Sequence, residues 1–344
     1  MFWSTIRRAR HDGADLISYN YTAMEEAIKN FNKQFLYEPE IKNQEIFIKK
    51  SSFVVIGMGG SNLAPDLLKT WKPGLDIRIH REYGLPGLST EKLKNKLIIL
   101  SSYSGNTEEV IDAFKKAKER NLDMAIITVG GELLKLAIEN KVPYIKLPDT
   151  GIQPRMALGF SIKAFLKIMG EEEELKKVRE LATTLNPLDH EKDGKNLALK
   201  IKNCVPVIYA SSRNLPLAYN WKIKLNETGK IPAFYNIFPE LNHNEMTGLD
   251  VKEATKELSS KFYFIILKDP EDNPRISKRM EVLEKLYRDR NLRIETIELK
   301  GNDLWQKIFS SLVLADWFAY YTALEYGLEA EQVPMVEEFK KLIT

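Results

Sequence analysis

Residues 101 to 107 read Ser-Ser-Tyr-Ser-Gly-Asn-Thr, so five of these seven side chains carry a hydroxyl group. An apolar run at 97 to 100 precedes them, and Val110 and Phe114 follow at helical spacing. This pattern predicts a buried strand, a turn and a helix. The free N–H groups and the dipole at a helix N-terminus attract anions. The hydroxyl groups therefore favour a phosphate site, although a simple helix cap would need only one of them.

A second strand-turn-helix junction follows the apolar run at 53 to 56 and contains Gly-Met-Gly-Gly-Ser-Asn. In the dinucleotide-binding fingerprint, glycines occupy the first, third and sixth positions. The sixth position here is Asn62, so an NAD-dependent dehydrogenase ranks below a sugar-phosphate site. Gly59, Gly60 and Ser61 can still bring backbone amides close to a phosphorylated sugar.

Three separate polar residues are candidates for acid–base and electrostatic catalysis. Glu227 ends a predicted helix in Asn-Glu-Thr-Gly-Lys, His243 lies in a polar loop, and Arg155 follows a proline at a helix start. A glutamate can carry protons, a histidine exchanges them near neutral pH, and an arginine remains a cation. Taken singly, each is more often a surface residue. Metal ligation finds little support, because the four histidines are isolated and no HExxH or paired-cysteine spacing occurs.

Strands and helices alternate along most of the chain. Strands are predicted at 53–56, 75–80, 97–100, 124–129 and 144–147, and again at 205–210, 233–237, 262–267 and 294–299. This rhythm predicts an α/β fold with two doubly wound parallel sheets. Residues 101–107 form what we call the hydroxyl loop. At the matching position, the second half has the acidic stretch Lys268 to Asp272. We therefore expect one phosphate site per chain.

Two helical regions complete the pattern. Residues 1 to 50 are predicted to form helices that pack onto the first sheet. Residues 303 to 326 form a long predicted helix whose tryptophans and tyrosines exceed a single apolar stripe. This helix could lie at the centre of its own domain or pack against another subunit, and the sequence favours neither.

The composition limits the classes of partner. The chain has 344 residues, enough for two domains, with 51 Lys and Arg against 48 Asp and Glu. These charges are interspersed, so a nucleic-acid partner is not indicated. Mean hydropathy is −0.31 and no apolar run is longer than six residues, which argues against membrane spanning. A single cysteine and the absence of an apolar leader after Arg7-Arg8 favour the cytoplasm.

The five motifs GMGGSN, SYSGNT, PRMALGF, NETGK and ELNHNE occur in this order. Together they resemble the bifunctional phosphoglucose/phosphomannose isomerases of archaea and bacteria, and the resemblance extends over about residues 53 to 344. It implies two flavodoxin-like sugar isomerase (SIS) domains with flanking helices, and the polar stretch at residues 170–174 marks the boundary between them, which gives domains at 1–170 and 171–330. It further implies a tail at 331–344 that completes the active site.

The resemblance also implies a role for each motif. The SYSGNT loop of the family holds the substrate phosphate, which corresponds to Ser102, Ser104 and Thr107. The glutamate of the NE-GK motif shuttles the proton and matches Glu227, while the arginine of PR-ALG steadies the enediolate and matches Arg155. Gly59, Gly60 and Ser61 would also contact the substrate.

Two further implied residues come from separate parts of the family's site. The histidine that assists ring opening matches His243 and belongs to the neighbouring subunit of a homodimer. A lysine near the C-terminus matches Lys340, although Lys341 is adjacent. In some members a threonine shortly before this lysine is linked to acceptance of mannose 6-phosphate, but here the segment reads Glu331-Gln332-Val333. The preference between glucose and mannose substrates therefore stays open.

The implied reaction interconverts glucose 6-phosphate, and also mannose 6-phosphate, with fructose 6-phosphate. A single carboxylate can take a proton from C2 and return it to C1, so no metal or redox cofactor is expected. The alternative is a SIS module that binds a sugar phosphate without turnover. Regulators of that kind usually carry a DNA-binding appendage, and none is evident in this sequence.

Overall fold

The computed structural model describes residues 22–343. The helices predicted for residues 1 to 50 are therefore seen in part, because residues 1–21 lie outside the described residues. The described part of this region contains one helix and two short 3-10 turns, at Phe31–Leu36 and Gln44–Ile46.

The described residues contain nine strands and fourteen α-helices, joined by 3-10 turns and loops. The strands are β1 (Phe53–Ile56), β2 (Ile77–His80), β3 (Leu97–Ser101), β4 (Met124–Thr128), β5 (Tyr144–Lys146), β6 (Val205–Ser211), β7 (Phe234–Phe238), β8 (Phe262–Lys268) and β9 (Arg293–Glu298). The helices are α1 (Thr22–Lys29), α2 (Leu63–Trp71), α3 (Thr90–Lys94), α4 (Glu108–Glu119), α5 (Gly131–Glu139), α6 (Leu158–Met169), α7 (Glu172–Thr184), α8 (Glu191–Lys200), α9 (Leu215–Glu227), α10 (Glu245–Gly248), α11 (Lys256–Ser259), α12 (Pro274–Arg288), α13 (Leu304–Glu325) and α14 (Pro334–Ile343).

The strands form two parallel sheets of the same topology. The first sheet has the order β2-β1-β3-β4-β5 and the second has the order β7-β6-β8-β9. All pairs are parallel, and the first order is that of flavodoxin-like folds. The predicted fold of two doubly wound α/β sheets is therefore confirmed. In both sheets, helices or helical turns follow the carboxyl ends of the strands. Folds of this type bind ligands at that edge of the sheet.

The apolar strand runs are buried on both faces. Every residue of β1 and β3 is buried. On one face of the first sheet, Ile98 and Leu100 pack with Phe114 of α4. On the other face, Ile99 joins a larger core that also contains residues of α2, α6, α9, α13 and the inner face of the second sheet. A layer of helices thus packs between the two sheets and connects them.

The long aromatic helix α13 lies within this shared core. Trp317 and Phe318 are fully buried, and the Trp317 indole N–H donates to the Pro187 carbonyl oxygen at 2.8 Å. Of the two alternatives left open by the sequence, the structure shows the first, a helix central to its own chain. Its aromatic residues therefore give no support to a contact between subunits.

A buried ion pair fastens α9 to α13. Lys224 Nζ lies 2.5 Å from Asp316 Oδ1, and both side chains are completely inaccessible to solvent. Burial raises the pKa of Asp316, and the attraction of Lys224 opposes this rise. Lys224 Nζ also donates to the Arg155 carbonyl oxygen at 3.4 Å. The pair therefore fixes the end of α9 relative to α13 and to the segment around Arg155.

We expect Lys224→Met to destabilise the fold strongly, because it leaves the Asp316 carboxylate buried without its cation. Removing one partner of a buried ion pair costs about 3–5 kcal/mol. The loss should be visible as a lower urea midpoint by circular dichroism, and the double variant K224M/D316L should recover most of it. Lys222→Met, on the same helix and half-buried, is the control. Equal losses for the two lysine variants would contradict this assignment.

Candidate active site

The hydroxyl loop connects β3 to α4, as the sequence predicts. Ser102 is completely buried, and its Oγ lies 2.7 Å from Thr107 Oγ1. The Gly105 N–H donates to Ser102 Oγ at 3.0 Å, which closes the loop on itself. Thr107 occupies the N-cap position of α4, yet its side chain makes no capping hydrogen bond. The hydroxyl groups are therefore not used for capping, and the first N–H groups of α4 face a polar, hydroxyl-lined turn.

Gly105 allows this loop to pack tightly against the next junction of the sheet. Its φ is +74°, and a Cβ atom there would lie 1.8 Å from the Gly130 carbonyl oxygen. Beside it, Asn106 Oδ1 accepts a hydrogen bond from the Glu132 N–H at 3.0 Å, at the start of α5. Only glycine fits this position without displacement of the neighbouring backbone.

The glycine turn between β1 and α2 lies directly against the hydroxyl loop. Residues Gly59–Asn62 form a 3-10 turn, in which Ser61 Oγ accepts a hydrogen bond from the Tyr103 N–H at 2.8 Å. On the other side, a Cβ atom on Gly60 would lie 2.7 Å from Pro154 Cβ and 2.8 Å from the Arg155 nitrogen. The structure thus brings together three motifs that are far apart in the sequence.

The helix predicted to begin at Pro154 begins later. Pro154–Met156 form a 3-10 turn, and α6 starts at Leu158. Ala157 separates the two with φ −90° and ψ 26°. The short turn packs against the glycine turn, and the Arg155 side chain on it contacts Glu227 and Thr228 in the second half of the chain.

Arg155 is the most highly connected side chain of the site. Its guanidinium donates from Nε to Thr228 Oγ1 at 2.8 Å and from Nη1 to Glu227 Oε2 at 3.3 Å. Nη2 donates to the carbonyl oxygens of Ala330 at 3.1 Å and of Glu331 at 2.7 Å. The side chain is 1% exposed. Burial lowers the pKa of Arg155 and the Glu227 carboxylate opposes the shift, but an arginine remains protonated at neutral pH.

Glu227 is the last residue of α9, as the sequence predicts. The chain leaves the helix through Thr228 and reverses at Lys230, which has a φ of +59°. The Glu227 side chain is 35% exposed. One carboxylate oxygen, Oε2, faces Arg155, while among the described residues Oε1 has no hydrogen-bonding partner. The carboxylate is therefore held on one side and open on the other.

Lys230 connects the end of α9 to the C-terminal segment. Its Nζ donates to the Glu227 carbonyl oxygen at 2.6 Å and to the Gln332 carbonyl oxygen. Burial, together with the nearby Arg155 charge, lowers the pKa of Lys230. Arg155 and Lys230 therefore bind three successive backbone carbonyls, at residues 330 to 332, where the tail begins.

The structure does not bring His243 to Glu227 within one chain. Helix α9 connects the parallel strands β6 and β7, so Glu227 at its end lies towards the edge of the sheet where β7 begins, whereas His243 follows the strand's last residue. Five residues of strand separate the two ends by roughly 13 Å. His243 is exposed, in a 3-10 turn at Glu240–His243.

The tail lysine lies on the terminal helix α14. Lys340 Nζ pairs with Glu337 Oε1 at 2.7 Å, and both side chains are more than half exposed. Lys341 instead lines a cavity of about 350 Å³ at the base of this helix, together with Gln332. The assignment of Lys340 as the site lysine stays a prediction.

The sequence reasoning missed Thr228, Lys230 and the tail carbonyls. Thr228 and Lys230 lie inside the NETGK motif, so the motif itself carried the signal for both. The carbonyl contacts of residues 330 to 332 leave no trace in side-chain types. Within residues 22–343, no group of three His, Cys, Asp or Glu side chains is arranged to hold a metal, and no helix combines the length and apolar character needed to cross a bilayer.

We propose that the hydroxyl loop binds phosphate and expect Gly105→Ala to weaken that binding. The added Cβ must displace the Gly130 carbonyl or the loop itself. Strain of about 1–3 kcal/mol corresponds to a rise of roughly 5- to 150-fold in the Kd for inorganic phosphate, measured by calorimetry. Gly74→Ala is the control, because a Cβ there meets no atom within 4 Å. Unchanged phosphate affinity in G105A would refute the assignment.

Comparison with known proteins identifies the family. Residues 190–343 match the model of the bacterial phospho-glucose isomerase C-terminal SIS domain. The bifunctional phosphoglucose/phosphomannose isomerase of Caldicellulosiruptor bescii is 32% identical, with 92% of this chain and 98% of the relative covered. The enzyme of the same name from Aquifex aeolicus is 30% identical, with 91% of this chain and 96% of the relative covered.

A solved structure supports the fold separately. Tagatose-6-phosphate ketose/aldose isomerase from Escherichia coli superposes with a TM-score of 0.61, with 90% of this chain and 89% of that chain covered. Its sequence identity is 18%, so the likeness concerns the fold alone. The nearly full-length relatives, the matched SIS domain and the five motifs in order agree with one another. The chain therefore belongs to the bifunctional phosphoglucose/phosphomannose isomerase family.

Proposed function

We propose that this chain interconverts glucose 6-phosphate, and also mannose 6-phosphate, with fructose 6-phosphate, without a bound cofactor. Family membership confirms the isomerase predicted from the motifs. The observation that carries the catalytic assignment is the contact between Arg155 and Glu227, because it places a carboxylate with one open oxygen beside a buried cation.

The phosphate end of the substrate would bind at the hydroxyl loop. Ser102 and Thr107 are already paired there, and the exposed Ser104, whose Oγ accepts a hydrogen bond from the Asn106 N–H at 3.3 Å, would turn towards an incoming phosphate. The adjoining turn at Gly59, Gly60 and Ser61 would approach the sugar through its backbone. Binding at this remote group orients the reacting carbons for the chemical step.

Proton transfer would run through Glu227. Its Oε1 takes the proton from C2 of the open aldose, the electron pair forms the C1–C2 double bond, and the C1 oxygen becomes the oxyanion of a cis-enediolate. The same carboxylic acid returns the proton to C1 while the hydroxyl proton moves from O2 to O1, which gives the ketose. Arg155 has five N–H donors, of which the contacts above use four. The remaining Nη1–H is available to the oxyanion.

Ring opening would use His243 from a second copy of the chain. Its position at the far end of β7 from Glu227 supports this arrangement. β7 is an edge strand on which Phe234 is 56% and Tyr235 is 37% exposed. If two such edges met across a two-fold axis, the end of one β7 would lie beside the start of the other. A homodimer would then place His243 of each chain near Glu227 of the other.

The domain division and the cellular location belong to the same proposal. The division into residues 1–170, 171–330 and 331–344 is supported by the two separate sheets and by the contact of the Glu331 carbonyl with Arg155. The single cysteine supports a cytoplasmic location. The alternative, a SIS module that binds a hexose phosphate without turnover, would show binding but no isomerisation.

We expect Glu227→Gln to lower kcat by at least roughly a hundredfold, because it removes the group that carries the proton. The KM for fructose 6-phosphate should change little, since the phosphate loop is untouched. A coupled assay with each hexose phosphate measures both constants. Glu257→Gln, at an exposed position of α11, is the control and should match the wild type. Near-normal turnover of E227Q would rule out the assigned base.

A mixing experiment tests the shared site. E227Q and His243→Ala homodimers should each be nearly inactive. After the two are denatured together and refolded, half of the random dimers are mixed, and one of their two sites has both groups. About a quarter of wild-type activity should return. No recovery, despite dimers seen by sedimentation, would place His243 and Glu227 in the same subunit or remove His243 from the site.

A further inference from the structure

Thr228 has a buried hydroxyl group whose hydrogen-bond partner within residues 22–343 is Arg155. It directly follows the proposed base, the residue is 1% exposed, and its Oγ1 accepts the Arg155 Nε–H at 2.8 Å. Its own backbone N–H donates to the Lys224 carbonyl oxygen at 2.8 Å, so the residue is fixed to the last turn of α9. A β-branched side chain at such a position has little rotational freedom.

The contact at Nε controls the orientation of the guanidinium plane. The two carbonyl contacts, from Ala330 and Glu331, both involve Nη2 and come from the tail. The contact of Nη1 with Glu227 Oε2, at 3.3 Å, is the longest of the four. The shorter contact at Nε, from the end of α9, fixes the plane and directs Nη1 towards Glu227. Among the described residues, the Thr228 hydroxyl is the acceptor that the structure provides for Nε.

Thr228 contacts the proposed catalytic residue Arg155 and not the loop that would bind the phosphate. The hydroxyl loop contacts the glycine turn and the start of α5, and none of the hydrogen bonds described above joins it to Thr228. A change at Thr228 should therefore alter the position of Arg155 and leave the phosphate anchor intact.

We propose that Thr228 is a positioning residue for the isomerisation. Through Arg155 Nε it directs Nη1 towards both Glu227 and the developing oxyanion. This inference rests on the proposed function. It assigns Thr228 no direct contact with substrate and no part in proton transfer, so its effect belongs to kcat and not to KM.

The test compares Thr228→Ser, which keeps the hydroxyl group, with Thr228→Val, which keeps the shape and removes the acceptor. T228S should stay within about twofold of the wild-type kcat. T228V should lose roughly 10- to 100-fold in kcat, the range expected when a reacting group is displaced by about 1 Å. KM for fructose 6-phosphate should change less than about twofold in both. Thr228→Ala should reproduce the loss if T228V folds poorly in a thermal melt.

Two controls separate positioning from a general structural effect. Thr322→Val removes a hydroxyl group that is equally buried, on α13, and should leave kcat unchanged. In an Arg155→Lys background, T228V should cause no more than about a twofold further loss, because lysine has no Nε–H to position. Additive losses in the double variant, a loss confined to KM, or equal losses in T228S and T228V would each overturn the inference. An inactive wild-type protein would instead refute the proposed function.

Discussion

The buried guanidinium of Arg155 is the constraint on which the site depends. A charge removed from water must be paired and hydrogen-bonded, or the fold loses several kcal/mol. Arg155 meets this requirement with acceptors from two other parts of the chain, the end of α9 and residues 330 and 331, where the tail begins. Satisfying one cation therefore determines how the two halves of the molecule and the tail are arranged. The same contacts hold the carboxylate that would carry the proton.

The two sheets share a topology, but the junctions after their third strands differ in chemistry. After the third strand of the first sheet, the chain presents hydroxyl groups and a free helix terminus. After the third strand of the second sheet, Asp269 is buried and accepts hydrogen bonds from Lys307 at 2.8 Å and from Asn214 at 3.1 Å. Burial alone would raise the pKa of Asp269, but the Lys307 contact and its other hydrogen bonds outweigh this and lower it. This junction is filled by its own ion pair, in agreement with one phosphate site per chain.

Much of the fold could be predicted from the sequence because its strands are buried on both faces. Leu97 to Leu100 can be recognised as a strand from the apolar run alone, and the turn residues that follow mark the carboxyl edge of a parallel sheet. Contacts between residues that are far apart in the sequence could not be predicted in this way. Arg155 and Glu227 are 72 residues apart, and neither residue's neighbours indicate the contact. The break at Ala157 was missed because the local pattern is helical, whereas packing against Gly60 decides the outcome.

The most direct test is a crystal structure of the chain with fructose 6-phosphate bound. We expect the phosphate at Ser102 and Thr107, and C1 and C2 of the open sugar within about 3–3.5 Å of Glu227 Oε1, the separation at which groups react. The Arg155 Nη1 atom should lie within hydrogen-bonding distance of the C1 or C2 oxygen. A sugar whose phosphate occupies the hydroxyl loop while C1 and C2 lie beyond the reach of Glu227 would contradict the assigned base. A sugar bound elsewhere on the chain would contradict the whole site.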